Sequence, residues 1–127
     1  MKMYDDLYCK IFIDTDLSYE ELFTLLLEFL DGKKYSLDGI CNQWCDISVR
    51  RNKEFSDEQY LLNPKDFIFW RYYLDVEPVD SNNVEESIYI ENISNLLKYI
   101  KRHCNDAIAA CDFEDEFEDE LKWKGLG

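Results

Sequence analysis

Apolar and polar residues begin to alternate at Leu7: Leu7, Cys9, Ile11 and Ile13 share one face of an extended segment, and Tyr8, Lys10 and Phe12 share the other. This period of two predicts a first strand with one face on a core. The period then changes. Ser18-Tyr19-Glu20-Glu21 matches a capping box, in which the serine hydroxyl and the glutamate three residues on satisfy backbone donors that a helix start leaves free. Leu22, Phe23, Leu26, Leu27, Phe29 and Leu30 follow as a wide apolar stripe, predicting a helix to Leu30 with Gly32 as its left-handed stop.

Between Leu37 and Arg51 a second strand is predicted, with Cys41, Cys45, Ile47 and Val49 on one face and Asn42, Trp44, Asp46 and Ser48 on the other. Residues Asn52 to Lys65 are polar and closed by Pro64, which reads as a long hairpin connection carrying Phe55, Tyr60, Leu61 and Leu62. Phe67 to Val76 then reads as the longest strand. Ile68, Trp70, Tyr72, Leu74 and Val76 would face the core, and Phe69, Arg71, Tyr73 and Asp75 would face away.

Pro78 and the polar turn Asp80-Ser81-Asn82-Asn83 precede a second helical pattern, Ile90, Ile93, Leu96, Leu97 and Ile100. Lys98, Lys101 and Arg102 gather toward its C-terminal end, where cations suit the macrodipole, and Asn105 is its predicted stop. Ala107 to Cys111 is a short strand of small residues. The order β-α-β-β-α-β predicts an α+β, ferredoxin-like fold: a four-stranded antiparallel sheet with two helices on one face. The second face would carry Tyr8, Phe12, Trp44, Phe67, Phe69, Arg71 and Tyr73. Either the 52–65 connection covers it, or it meets a partner, including a second copy in a weak homodimer.

Composition narrows the class. A chain of 127 residues, 46% hydrophobic and 33% charged, has the size of one domain, read as residues 1–127 with an acidic C-terminal segment at 112–120. No apolar stretch approaches a membrane span, and the N-terminus lacks an apolar signal core, so a cytoplasmic protein is expected. The 28 acidic residues against 14 basic leave a net charge of -14, which repels nucleic acid and anionic membranes and attracts basic proteins. Asp112-Phe113-Glu114-Asp115-Glu116-Phe117-Glu118-Asp119-Glu120 supplies seven of the carboxylates. Such a run is either a solvated tail or an edge that meets a basic partner.

Chemistry is sparse. Cys9, Cys41, Cys45, Cys104 and Cys111 contain no CxxC pair and are expected as free thiols, with no metal site and no cofactor. No glycine-rich phosphate loop occurs, and the single histidine, His103, sits beside Cys104 at a helix end, where sequence neighbours point apart. Asp14-x-Asp16 lacks the spaced ligands of a calcium loop and suits a turn. Asp75 and Glu77 share one side of a strand, a spacing that can grip an arginine or move a proton. The expectation is a protein without enzymatic activity.

Three stretches, Arg71-Tyr72-Tyr73-Leu74-Asp75-Val76-Glu77-Pro78, Tyr89-Ile90 to Ile100, and Ala109-Ala110-Cys111-Asp112-Phe113-Glu114-Asp115-Glu116, together resemble bacterial immunity proteins of polymorphic-toxin and contact-dependent growth inhibition systems. The resemblance covers roughly the second half of the chain. It implies a cytoplasmic protein that binds a cognate basic toxin domain, often a nuclease, and blocks its active or essential surface. Carboxylates would then stand where phosphates would sit. On that reading the partner-binding residues are Asp75, Glu77, Asp112, Glu114, Asp115, Glu116 and Glu118, with Trp44, Phe69, Tyr73, Phe113 and Phe117 as apolar anchors. Two alternatives stay open: a nucleic-acid mimic that inhibits a defence nuclease, and a small ligand-binding regulatory domain using a crevice between sheet and helices.

Overall fold

The first strand, β1 (Cys9–Asp14), and the helix after it, α1 (Tyr19–Leu30), form where the pattern puts them in the computed structural model, which describes residues 4–80 and 82–122. Ser81, part of the predicted turn, lies outside the described residues, as do 1–3 and 123–127. The capping box is complete: the Ser18 hydroxyl accepts from the Glu21 amide, and Glu21 accepts from the Ser18 amide. At the other end Asp31, not Gly32, takes the left-handed conformation, at φ 47°. The Asp31 and Gly32 amides donate back to the Glu28 and Leu27 carbonyls, a Schellman arrangement in which Gly32 is the residue beyond the left-handed one. Gly32 is needed for space: a Cβ there would lie 2.8 Å from the Cys41 carbonyl oxygen.

The second predicted strand is two. β3 (Gly39–Cys41) and β4 (Cys45–Arg51) form a hairpin, and β2 (Lys33–Lys34) pairs with β3. Asn42 makes the break. Its side-chain oxygen accepts from the Trp44 and Cys45 amides, each at 2.9 Å, and its nitrogen donates to the Leu30 carbonyl. Those bonds turn the chain where alternation alone reads straight through.

The predicted long connection contains a helix, α2 (Asp57–Leu62), capped by Ser56. The third predicted strand is shorter at its start, since Phe67–Phe69 is a single 3-10 turn and β5 spans Tyr72–Pro78. α3 (Glu86–His103) and β6 (Asp106–Cys111) complete the fold. The result is α+β, with an open six-stranded antiparallel sheet ordered β2-β3-β4-β5-β1-β6 and three α-helices among the described residues. Six strands replace the four expected because Asn42 divides one segment and Lys33–Lys34 adds an edge.

Two cores follow from the pleat. Cys9, Ile11, Ile13, Ile47, Val49, Tyr72, Leu74 and Val76 pack on Leu22 and Leu26 of α1 and Ile93 and Leu97 of α3. On the other face Phe12, Trp70 and Ile108 are buried with Tyr60, Phe67 and Tyr73 against them. Trp70 thus lies on the side opposite to the one expected, and Ile68 is half exposed. The 3-10 turn carries Trp70 across, and its indole N–H donates to the Pro64 carbonyl at 2.7 Å. The 52–70 segment therefore covers one half of the outer sheet face, and the aromatic patch that suggested self-association is closed there by the chain itself.

The acidic segment is folded. Phe113, Phe117 and Leu121 are buried in the main core, while the seven carboxylates between Asp112 and Glu120 are exposed. Single 3-10 turns at Glu114–Glu116 and Asp119–Leu121 keep this spacing of four in register with the core. Burying each ring contributes about 1.5 to 3 kcal/mol, which holds the chain down against the repulsion between its charges.

Candidate functional site

The strand register places the acidic features at one end of the sheet. Cys111 on β6 stands opposite Cys9 on β1, Cys9 opposite Val76 on β5, and Val76 opposite Ile47 on β4. One step further along each strand come Asp112, Tyr8, Glu77 and Asp46. The ridge from Asp112 to Glu120 thus begins at the sheet end that also carries Glu77 and Asp46.

On the outer face of this end lies a recess of about 450 Å³ lined by Tyr8, Tyr35, Asp46, Ser48, Arg50, Asp75 and Glu77. Asp46 and Glu77 are directly opposite each other on β4 and β5, as are Ser48 and Asp75. The Tyr8 hydroxyl donates to Asp75 and the Tyr35 hydroxyl to Asp46. Each bond favours the neutral phenol. Hydrogen bonding to Asp46, then burial, pushes Tyr35 up to about 12, and burial followed by the bond to Asp75 pushes Tyr8 up further. Arg50 reaches Asp38 at 2.6 Å and Asp75 at 3.5 Å. Lys10, opposite Asp75 on β1, places its ammonium over the rings of Tyr73, at 4.2 Å, and Phe12, at 5.1 Å. Glu77 is exposed, and its side chain makes neither hydrogen bond nor ion pair among the described residues.

The ridge is tied at several points. Lys98 of α3 meets Glu118 at 2.8 Å, Lys122 meets Asp119 at 3.6 Å, and the Tyr4 hydroxyl donates to Glu116. Tyr4, Tyr89 and Phe117 pack edge-on around Phe113 at centroid distances of 5.8 to 6.1 Å. The bond to Lys98 lowers the Glu118 pKa and raises that of Lys98. Asp112, Glu114, Asp115, Glu116 and Glu118 are all presented to solvent on this frame.

The predicted partner-binding residues divide. Asp75 and Glu77 join the recess; of the ridge carboxylates Asp112 lies at the same end of the sheet, and Glu118 lies further along, against Lys98 of α3. Phe113 and Phe117 are core residues and cannot anchor a partner without unfolding the ridge. Trp44 lies edge-on to Tyr89 at 5.8 Å, on the helix side of the sheet, because the Asn42 turn reverses the alternation there. Tyr73 packs at the margin of the covered half, and Phe69 sits part-buried in the 3-10 turn away from the recess. Asp46, Tyr8, Tyr35, Ser48 and Arg50 were not among the predicted site residues. The first signal was available, since Asp46 and Asp75 both fall on the outward side of their strands.

Burial raises the pKa of Cys45, and a sulfur contact with Cys111 followed by burial raises that of Cys9, so neither thiol is a ready nucleophile. No group of three or more His, Cys, Asp or Glu among the described residues is arranged to hold a metal ion. Among those residues no helix is long and apolar enough to cross a membrane. A larger recess, about 860 Å³, lies toward the opposite end of the sheet and is lined by Tyr19, Phe23, Lys34, Leu37 and Arg51, among others. Comparisons with protein-family models, curated protein sequences and solved structures return no significant match.

Proposed function

We propose that the protein is an immunity-type inhibitor that neutralises a basic toxin domain by covering a surface the toxin uses on nucleic acid. The observation that carries this reading is the ordered ridge: seven carboxylates held outward by three buried apolar side chains, in a segment that starts at the end of the sheet carrying Asp46 and Glu77 and runs along α3 to the Glu118–Lys98 pair. A solvated tail needs no such frame. A fixed array of anions meets a basic surface with less ordering cost on binding, and its field speeds encounter. The β4-β5-β1-β6 strands with α1 and α3 are read as a ferredoxin-like core, to which β2, β3 and α2 are additions.

The test is growth protection and binding kinetics with the toxin domain encoded by the adjacent upstream reading frame. The parent chain is expected to restore growth. Neutralising Glu114, Asp115, Glu116 and Glu118 together is expected to slow association by about tenfold at low salt, with little change at high salt. A parent chain that neither binds nor protects overturns the reading. The larger recess favours a second reading as a ligand-binding domain, because Lys34 and Arg51 are held over its aromatic floor, Phe23 and Tyr19, at 5.1 and 3.9 Å. A rise in thermal midpoint with benzoate, lost in R51A, would support that reading.

A further inference from the structure

We propose that Cys9 and Cys111 form a redox site, a pair of thiols that a small disulfide such as glutathione disulfide oxidises to an intramolecular bond at the root of the acidic ridge. The site is independent of the proposed toxin contact.

The register sets Cys9 of β1 directly opposite Cys111 of β6, and no other two cysteines are opposed across the described strands. In an antiparallel ladder, opposed residues alternate between pairs that exchange backbone bonds and pairs that do not; in the second kind the Cα atoms are about 4.5 Å apart and the side chains closer. Cys9 and Cys111 are of the second kind. The Val79 amide donates to the Trp44 carbonyl and the Asn52 amide to the Arg71 carbonyl, so the even-numbered residues of β4 are the ones bonded to β5. Carried across the register, the residues of β1 bonded to β6 are Lys10, Phe12 and Asp14. Ala107, two steps of the alternation before Cys111, agrees: its amide donates to the Asp106 carboxylate at 2.8 Å and its carbonyl accepts from the Lys101 ammonium at 3.2 Å. Both cysteines pack in the main core, Cys9 fully buried and Cys111 partly, and their sulfurs are in hydrogen-bond contact. A disulfide bridges Cα separations of about 4.4 to 6.8 Å, so the strands need not part to make the bond.

Cys111, at a strand end and only partly buried, is the thiol that a reagent reaches first. Its thiolate attacks one sulfur of glutathione disulfide, forming a mixed disulfide and releasing one glutathione thiolate. The Cys9 thiolate then attacks the Cys111 sulfur and expels the second. The two protons lost by the cysteines end on the two glutathiones, and the two electrons lost by the pair reduce the glutathione disulfide. The contact with Cys111 and burial keep Cys9 largely protonated, but its sulfur already lies against its target, so the second step is intramolecular. The closed loop holds about 100 residues, and the bond removes that much freedom from the unfolded chain. Cys111 directly precedes Asp112, and Phe113 packs edge-on to Tyr89, so the bond fastens β6 where the ridge leaves it.

The test is equilibration of the full chain in glutathione buffers of rising disulfide content, followed by unfolding, alkylation of the remaining thiols and peptide mapping. Two of the five thiols are expected to disappear together, in a Cys9–Cys111 linkage within a single chain. The thermal midpoint of the oxidised chain is expected to rise by about 10 °C, to return on reduction with dithiothreitol, and not to rise in C111A treated in the same way. C111A changes a partly buried position at a strand end and is expected to fold, with Cys9 left unmodified. C9A is expected to stop at the Cys111–glutathione mixed disulfide. Five alkylatable thiols in excess glutathione disulfide, a bond joining any other pair within or between chains, a mixed disulfide at Cys111 that persists in the parent, or a lower midpoint after oxidation would overturn the proposal.

Discussion

The two halves of the outer sheet face received opposite treatment from one chain. Around Phe12, Ile108 and Tyr73 the chain adds some twenty residues, α2 and the turn before Trp70, to exclude water. Around Tyr8, Asp46, Asp75 and Glu77 it adds only Tyr35 at the rim. Covering the apolar half contributes transfer free energy for every ring buried, while covering the charged half would require desolvating Asp46 and Glu77, which make no ion pair among the described residues. The difference teaches that exposure on this face follows side-chain chemistry, and that the part left open is the part the chain could not itself close at a gain.

The largest effects are expected where the covered half is opened. Trp70→Ala removes the centre of the outer core together with the bond to Pro64, and is expected to cost about 3 to 5 kcal/mol in denaturant unfolding. Ile68→Ala, two residues away and half exposed, is expected to cost under about 0.5 kcal/mol. Equal losses from the two would show that the strand continues through Phe67 after all. Phe113→Ala is expected to match Trp70→Ala in size and to loosen the ridge, seen as faster amide exchange from residue 113 to 121.

A smaller effect is expected at the fastening of the cover. The Asn52 side-chain nitrogen donates to the Ile68 and Trp70 carbonyls at 2.9 and 2.7 Å and so holds the 3-10 turn to the end of β4. Asn52→Ala leaves those acceptors to water and is expected to cost about 1 to 3 kcal/mol by thermal or denaturant unfolding. No change would mean that the aromatic contacts alone keep the cover closed.

The open half responds to alkali. Tyr35 titrates near 12 in the folded protein against an ordinary value of 10.0, chiefly because its hydroxyl donates to Asp46. The folded state thus holds this proton more tightly than the unfolded state does. The stabilisation is complete below pH 10 and is lost as the pH rises from 10 toward 12. Phenolate absorbance of the D46N variant is expected to show one tyrosine titrating earlier than in the parent. Identical curves would mean that the bond to Asp46 does not form in solution.

The sequence was most legible where a period ran uninterrupted. β1, α1 and α3 lie where alternation or a 3.6-residue stripe placed them, because burial of one face dominated each segment. It was least legible where one side chain overrode the pattern. Asn42 turned a predicted strand into a hairpin, and the 3-10 turn at Phe67–Phe69 moved Trp70 to the other face. Both events depend on bonds to residues distant in the chain or to a local carboxamide, which periodicity does not register. The ridge is a different case: Phe113, Phe117 and Leu121 recur at a spacing of four, but the density of charge directed attention to a solvated or partner-facing tail. The recess joins strands far apart in sequence and became visible only with the register.

The smallest expected effect is the sharpest test of why the open half stays open. If Asp46 and Glu77 repel each other across β4 and β5, then Glu77→Gln should raise stability, although it removes a charge from an exposed position where most substitutions are neutral. The expected gain is about 0.2 to 0.5 kcal/mol at low ionic strength, fading as salt screens the pair. Asp46→Asn should gain less, because it also weakens the acceptor for the Tyr35 hydroxyl. In the double variant the two gains should not add, since either substitution alone already removes the repulsion. Denaturant midpoints measured at low and high salt in a double-mutant cycle give the answer. A loss of stability from Glu77→Gln at low salt would mean that Glu77 is held by a favourable local field, and that the opposed carboxylates do not repel each other at a cost to the fold.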